Sequence, residues 1–232
     1  MIRAGAAVAI LGLAALPACA APPGTIRLAA DADEHTFPDL AKVALPAAIR
    51  TAQQKAAGPV IWAGYENLDG FLFAYVQVAG RGKSVVTVTV DAGNGRAVDV
   101  TTRTAAQVAE DARKEQAADA EKARDPGSEE ARKAKAAAAN PESGHGAPKY
   151  KSSVAMSEDA TGAEQAGRAK ITIQRAINEA SHGHPGRVVS AGVVLDHGSL
   201  YYAVTIKAAD GATTLYAVDA GNGKLLGNEA GG

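Results

Sequence analysis

The sequence predicts an α+β protein of two small domains, each one helix packed on a three-stranded antiparallel sheet, joined by a long charged, alanine-rich linker. Three observations lead to this fold class. The pentapeptide DAGNG occurs twice, at Asp91–Gly95 and again at Asp219–Gly223. One helical pattern and then three strand-like patterns precede each occurrence in the same order. The chain between the two copies is rich in charge and alanine and lacks a continuous apolar stripe.

Composition limits the classes of protein that fit. The chain has 232 residues and a formal net charge of −1, and only 4% of its residues are aromatic. A near-neutral charge excludes a globally basic nucleic-acid binder, so we expect no nucleic-acid partner. Strand-like runs rich in Val, Ile and Leu exclude a fully disordered chain.

Residues 1–20 have the pattern of a secretory signal peptide: Arg3, an apolar run of about a dozen residues, and then Ala-Cys-Ala. We therefore expect export to the periplasm or the extracellular space, and no transmembrane segment in the mature chain. Cys19 allows two interpretations. It is removed with the leader, or it becomes the acylated first residue of a lipid-anchored protein. Pro17 departs from the usual lipobox, so removal is favoured, and the intact mass of the mature chain distinguishes the two.

Sliding the sequence along itself until Asp91 falls on Asp219 aligns the two copies without a gap, for example Leu72 on Leu200 and Val76 on Val204. This alignment predicts one domain over residues 42–99 and a second over 170–227. An N-terminal extension, residues 21–41, precedes the first domain. Units of about 58 residues are marginally stable alone, so we expect the two copies to pack on each other.

Each copy begins with a helix, because apolar residues recur at i, i+3, i+4 and i+7. Pro46 suits the first turn of the first helix, and Thr172 is a candidate N-cap for the second. The apolar positions are Leu45, Ala48, Ile49 and Ala52 in copy one, and Ile173, Ala176, Ile177 and Ala180 in copy two.

Three strands follow each helix, joined by hairpin turns at residues 68–70 and 196–198. Alternation along the middle strand predicts one buried face, formed by Leu72, Ala74, Val76 and Val78 in copy one and by Leu200, Tyr202, Val204 and Ile206 in copy two. The predicted strands are 60–66, 71–78 and 85–90, then 187–195, 200–207 and 213–218.

Residues 100–168 are interpreted as a linker that is partly helical or disordered. A solvated helix is predicted over 104–124 and a shorter one over 129–139, because charges alternate with alanine there. From 140 to 167 the Ser, Gly, Pro, Lys and Glu content is typical of disorder.

Two groups of residues are candidate binding sites. Phe71, Phe73 and Tyr75 alternate with the predicted buried positions of their strand and would form an exposed partner-binding surface. His182, His184 and His197 could bind Zn or Cu if one end of the second domain brought them together. The first copy has Gln54, Ala56 and Asp69 at those places, so the metal site would not be shared.

No catalytic motif is present in the sequence, so we expect no enzyme and no cofactor. Asp91 and Asp219, which open the two DAGNG segments, lack the acidic partners that a calcium loop needs. A tight turn accounts for both segments.

The order of these patterns resembles the PepSY family of peptidase propeptides. Ile171–Ile177 resembles the opening helix of that family, and Pro185–Val189 resembles the turn into its first strand. Tyr202–Ile206 resembles the central strand, and Tyr216–Leu226 resembles the closing signature, which copy one carries at Val90–Val98 with Val88 in place of the tyrosine.

The resemblance implies an exported protein with a binding or inhibitory role. The partner would be another envelope or secreted protein, with a peptidase as the candidate restrained or escorted in trans, because no peptidase follows the second copy. Two alternatives stay open: an envelope protein that binds a metal or small ligand, and a structural protein that self-associates.

Overall fold

A computed structural model describes residues 24–122 and 149–230. The predicted signal peptide with Cys19, and the predicted helix over 129–139, lie outside these residues. In chain order the elements are α1 (Phe37–Leu40), α2 (Leu45–Lys55), β1 (Val60–Leu68), β2 (Phe71–Ala79), β3 (Val85–Asp91), β4 (Ala97–Arg103), α3 (Ala105–Lys122), α4 (Gly162–Arg168), α5 (Ile173–Ser181), β5 (Arg187–Asp196), β6 (Ser199–Lys207), β7 (Thr213–Asp219) and β8 (Leu225–Ala230).

All eight strands belong to one antiparallel sheet of order β4-β3-β2-β1-β5-β6-β7-β8. The predicted fold class of two separate three-stranded domains is therefore wrong. Each copy contributes a fourth strand, β4 or β8, and the first strands of the two copies pair at the centre. There Ala63 lies opposite Ala191, with Trp62 opposite Gly192 and Gly64 opposite Ser190. Since Ala63 and Ala191 occupy equivalent positions of the two copies, a pseudo-twofold axis passes between them.

The two main helices bury the apolar stripes that the sequence predicts. All four stripe residues of α2 and all four of α5 are buried, and they share one core with alternate residues of both central hairpins. Thr172 caps α5 by accepting a hydrogen bond from the backbone N–H of Arg175, as predicted. The predicted buried face of β2 is confirmed as well, since Leu72, Ala74, Val76 and Val78 are 0% exposed.

The short helices α1 and α4 contact the opposite copy. Arg187 of β5 donates through Nη1 to the carbonyls of Pro38 and Ala41, at 2.9 and 3.2 Å. Lys83 of copy one forms a salt bridge with Glu164 of α4 at 2.8 Å. The hypothesis that the copies pack together is therefore confirmed, and it is the contact between the copies that closes the core over the central strands.

The structural repeat begins earlier than the sequence match. Residues 24–28 and 152–156, which we call the straps, pair with the start of β2 and β6 through bridges at Arg27–Phe71 and Ala155–Ser199. These two bridges also occupy equivalent positions of the two copies. The second strap and α4 lie within the segment interpreted as a linker, so the prediction of disorder is wrong for residues 149–167. The strap is ordered against the second copy, and α4 packs on strands of both copies. We call residues 24–103 the first repeat and residues 152–230 the second.

A buried aspartate joins each strap to its DAGNG turn. Asp91 is 1% exposed, and its carboxylate accepts five hydrogen bonds, from Thr25 N and Oγ1, Gly93 N, and Asn94 N and Nδ2. Asp219 is held the same way by Ser153, Gly221 and Asn222. The tight turn is confirmed, and the aspartate also holds the strap.

Helix α3 follows β4 directly. Thr104 precedes it and exchanges hydrogen bonds with Gln107, which satisfies free N–H groups of the first turn. Arg103 of β4 lies 3.5 Å from Asp111 of the helix. No helix in the described part of the chain combines the length and apolar character needed to cross a membrane.

Candidate functional site: the open face of the sheet

The candidate site is the sheet face opposite α2 and α5, which we call the open face. Side chains alternate across a strand, so the open face carries the residues between the buried ones. Within residues 24–122 and 149–230, α3 is the one helix tied to this side, through Arg103 at the edge strand β4. At the centre of the open face, Trp62, Tyr75 and Gln77 are half-buried.

Trp62, the single tryptophan of the chain, lies flat across the junction of the two copies. A β-carbon added to Gly64 would lie 2.5 Å from the indole ring, and one added to Gly192 would lie 2.7 Å from it. The absence of side chains at these two glycines therefore lets the ring rest on the backbone of β1 and β5. The result is a flat aromatic surface at the pseudo-twofold axis.

Tyr75 lies beside this surface, among carboxylates. Across the strands it pairs with Gly64 on one side and with Thr89 on the other. Glu66 and Trp62 flank Gly64 on β1, and Asp99 pairs with Thr89 on β4. Burial raises the pKa of the Tyr75 hydroxyl, and the nearby charges of Glu66, Asp99 and Asp69 raise it further.

Glu66 is partly desolvated at this position. Burial raises its carboxyl pKa above the ordinary value, and the charge of Glu34 adds to the effect. In the described residues neither Glu66 nor Asp99 forms a salt bridge, and Asp99 accepts a hydrogen bond from the Thr101 hydroxyl at 2.7 Å. The first repeat therefore presents aromatic rings and negative charge on one surface.

The second repeat has a different surface on the same backbone. Where the first repeat has Trp62, Glu66, Tyr75 and Asp99, the second has Ser190, Val194, Ala203 and Gly227. Tyr150, which precedes the second strap, covers this area: its ring meets the Tyr201 ring edge-on at 5.4 Å, and its hydroxyl donates to Glu229 at 2.7 Å. The acidic aromatic surface is thus a property of the first repeat.

Of the three aromatic residues predicted to bind a partner, Tyr75 is the one beside Trp62. Phe73 is only 4% exposed. A β-carbon on Gly24 would lie 2.8 Å from Phe71 Cβ and from the Phe73 ring, so both phenylalanines pack against the first strap. Strand alternation placed all three side chains on the open face, but the predicted exposure is wrong for Phe73, because the strap that covers it could not be read from β2 itself.

The structure does not bring the three candidate histidines together. His182 and His184 precede β5, whereas His197 follows it, and a strand of ten residues is about 33 Å long. His184 packs on the ring of Tyr216 at 4.5 Å, and His197 Nδ1 lies 2.6 Å from Asp196. The described residues contain no group of three His, Cys, Asp or Glu side chains placed to hold a metal ion.

Sequence reasoning missed Trp62, Glu66 and Asp99 as candidate site residues. The signal for Trp62 was present, because Gly64 and Gly192 are glycine in both copies and the tryptophan is unique. Asp99 was missed because no strand was predicted after residue 90 of the first copy, whereas β4 spans Ala97–Arg103 and crosses the predicted boundary between domain and linker.

No protein-family model matches the chain, and no curated protein matches it. The resemblance to the PepSY family therefore stays a prediction. Among solved structures, the chain is similar to a putative lipoprotein of Clostridium difficile 630, at 14% identity and a TM-score of 0.32. The match covers 79% of this chain and 88% of that one. A likeness this weak does not establish a common fold or function.

Proposed function

We propose that this chain is an exported, non-catalytic protein that binds another envelope or secreted protein through the open face of its first repeat. The observation that carries the proposal is the single tryptophan lying flat and half-buried on Gly64 and Gly192, next to Tyr75. Tryptophan and tyrosine are the residues most enriched among those that dominate binding energy at protein interfaces. The signal-peptide pattern of residues 1–20 supports export.

The internal repeat supports the same assignment. Both repeats need a helix-covered face to fold, and both have one. In the second repeat, Tyr150 covers the opposite face. The first repeat has large aromatic groups on that face and, among the described residues, no equivalent of Tyr150. An aromatic surface costs solubility when no partner covers it, so a role in binding explains why one copy has it and the other does not. The resemblance to peptidase propeptides makes a secreted peptidase the first partner class to test.

A photo-crosslinking amino acid tests the surface directly in the native envelope. Placed at Gln77, on the open face beside Trp62, it should capture one defined protein. Thr205 is its equivalent in the second repeat, and Arg50 is exposed on α2 at the opposite face; these two positions are the controls. We expect a strong product from Gln77, a weak one from Thr205 and none from Arg50.

Equal products from Arg50 and Gln77, or a product from Arg50 alone, would contradict the proposal. Identification of the captured protein then decides the partner class. A peptidase supports the role that the resemblance implies, while any other captured protein leaves the binding surface in place and removes the peptidase.

A further inference from the structure

We propose that the partner segment received by this surface is positively charged, with an arginine or lysine side chain placed over Trp62 and Tyr75 and between Glu66 and Asp99. The inference rests on the proposed function and adds the chemistry of the partner. It concerns the acidic aromatic surface alone, defined as these four residues.

The positions of the four side chains fit a cation. Tyr75 is at the centre, with Glu66 and Trp62 at the two diagonal positions on β1. Diagonal neighbours on a sheet are about 7–8 Å apart, within reach of long side chains. Asp99 lies two strands from Tyr75 in the same row, about 10 Å away. A guanidinium or ammonium group over the rings would therefore have a carboxylate on either side.

The charge balance favours a cation over other occupants. Within the described residues, Arg103 is the basic residue of β4, and Asp111 already pairs with it. Arg27, exposed in the first strap, lies opposite Phe71 at the start of β2, four residues from Tyr75 along the strand. An acidic or neutral partner would leave the Glu66 and Asp99 carboxylates desolvated without compensation, whereas a cation compensates them. Tryptophan and tyrosine faces attract cations as well.

The second repeat supplies the internal comparison. At the equivalent positions it has no carboxylate and no large aromatic ring, although the strand register is the same. Both repeats fold with their own residues at these places. Trp62→Ser and Tyr75→Ala therefore introduce the side chains that the second repeat carries at the equivalent positions of the same backbone. These variants therefore separate loss of binding from loss of folding.

The test uses the full chain and two labelled ten-residue peptides, one of alternating arginine and serine and one with citrulline in place of arginine. Fluorescence anisotropy at low salt measures both affinities. We expect the arginine peptide to bind at least about tenfold more tightly, with a preference that falls as salt rises. Glu66→Gln with Asp99→Asn should weaken the arginine peptide about three- to tenfold, and Trp62→Ser about two- to fivefold.

A charge-matched control shows whether the loss of affinity comes only from the change in the net charge of the protein. Asp31→Asn with Glu158→Gln takes the same charge from two exposed positions outside the surface and should leave the affinity unchanged. An equal loss in this control, or equal binding of the two peptides, overturns the inference. A dimer of the chain that dissociates on Trp62→Ser overturns it too, because a second copy then occupies the surface.

The two proposals fail in different ways. If the photo-crosslinker at Gln77 still captures a protein while the peptides show no arginine preference, the binding surface stands and the basic partner is wrong. If Gln77 captures nothing and the peptides show no preference, both are wrong.

Discussion

Separated from each other, the two repeats should each lose cooperative unfolding, and they should recover it when mixed. The first repeat alone would leave β1 as an unpaired edge and would lose the close approach of Gly162 of α4 to Ile61. The second would lose the pairing of β5 and the contacts of Arg187 with α1. Units of this size are marginal even when complete, so losing one wall of the core removes most of their stability.

The experiment places a protease site between Lys122 and Lys149, cuts the folded protein and separates the pieces in denaturant. Thermal unfolding is followed by circular dichroism, and the fluorescence of Trp62 reports on the first repeat alone. We expect the separated pieces to melt at least about 20 °C below the intact chain or without a clear transition. Mixing should restore the original midpoint. If each piece melts alone at the midpoint of the intact chain, the two repeats are independent domains.

Replacing either buried aspartate by alanine should cost about 3 kcal/mol of unfolding free energy, because several backbone and side-chain donors lose their acceptor at once. Asp91→Ala releases the first strap from the turn at Gly93, and Asp219→Ala releases the second from the turn at Gly221. Urea unfolding measures both. Asp210→Ala is the control, since that carboxylate is exposed and accepts a bond only from Ala212 N; it should cost less than about 1 kcal/mol.

The same aspartates should make stability depend on acid pH. Burial raises the pKa of Asp91 and of Asp219, but hydrogen bonds from the strap and the turn more than offset it, so both lie below the ordinary value of 3.8. As the pH falls, these two carboxylates therefore take up protons at a higher pH in the unfolded chain than in the folded one. Their contribution is complete above about pH 4 and is lost as the pH drops through the lowered folded-state values.

We therefore expect the urea midpoint of the wild type to fall steeply below about pH 4. The double alanine variant should start lower and show a flatter profile over the same range. Parallel profiles for the two proteins would mean that these carboxylates do not titrate differently on folding, and that the straps are held by other contacts.

Local patterns in the sequence predicted most of the helices and strands well, because each pattern depends on residues that are close together in the chain. The stripe of α5, with Thr172 as its N-cap, follows helical periodicity, and the hairpin at Asp69 and Gly70 follows turn chemistry: both residues adopt positive φ, 51° and 80°. Six of the eight strands were placed within one or two residues of their observed ends. The fourth strand of each repeat was missed, because Ala97–Arg103 is half polar and lies at the sheet edge.

The assembly of the sheet could not be read from the same patterns. Apolar and polar residues alternate in the same way whether a strand pairs on one side or on both. The sequences of β1 and β5 therefore do not show that these two strands pair with each other. The candidate site depends on that contact, since Trp62 rests partly on Gly192 of the other copy. Strand alternation placed Tyr75 on the open face, and the junction of the repeats adds Trp62 to the candidate site.

The pairing of β1 with β5 is the central claim, and a disulfide between Ala63→Cys and Ala191→Cys tests it most directly. Opposite residues of an antiparallel pair have Cα atoms about 4.5–5.5 Å apart, within the range that a disulfide spans. Cys19, the single native cysteine, is replaced by serine. As a control, Ala217→Cys replaces Ala191→Cys; Ala217 lies three strands from β1, about 14 Å away.

Mild oxidation of the folded protein is followed by thiol titration and intact mass. We predict that the Ala63–Ala191 pair closes within one chain, with both thiols lost and the monomer mass lowered by two hydrogens, while the control keeps free thiols. Two free thiols in a folded Ala63–Ala191 variant, or bonds formed only between chains, would contradict a single eight-stranded sheet.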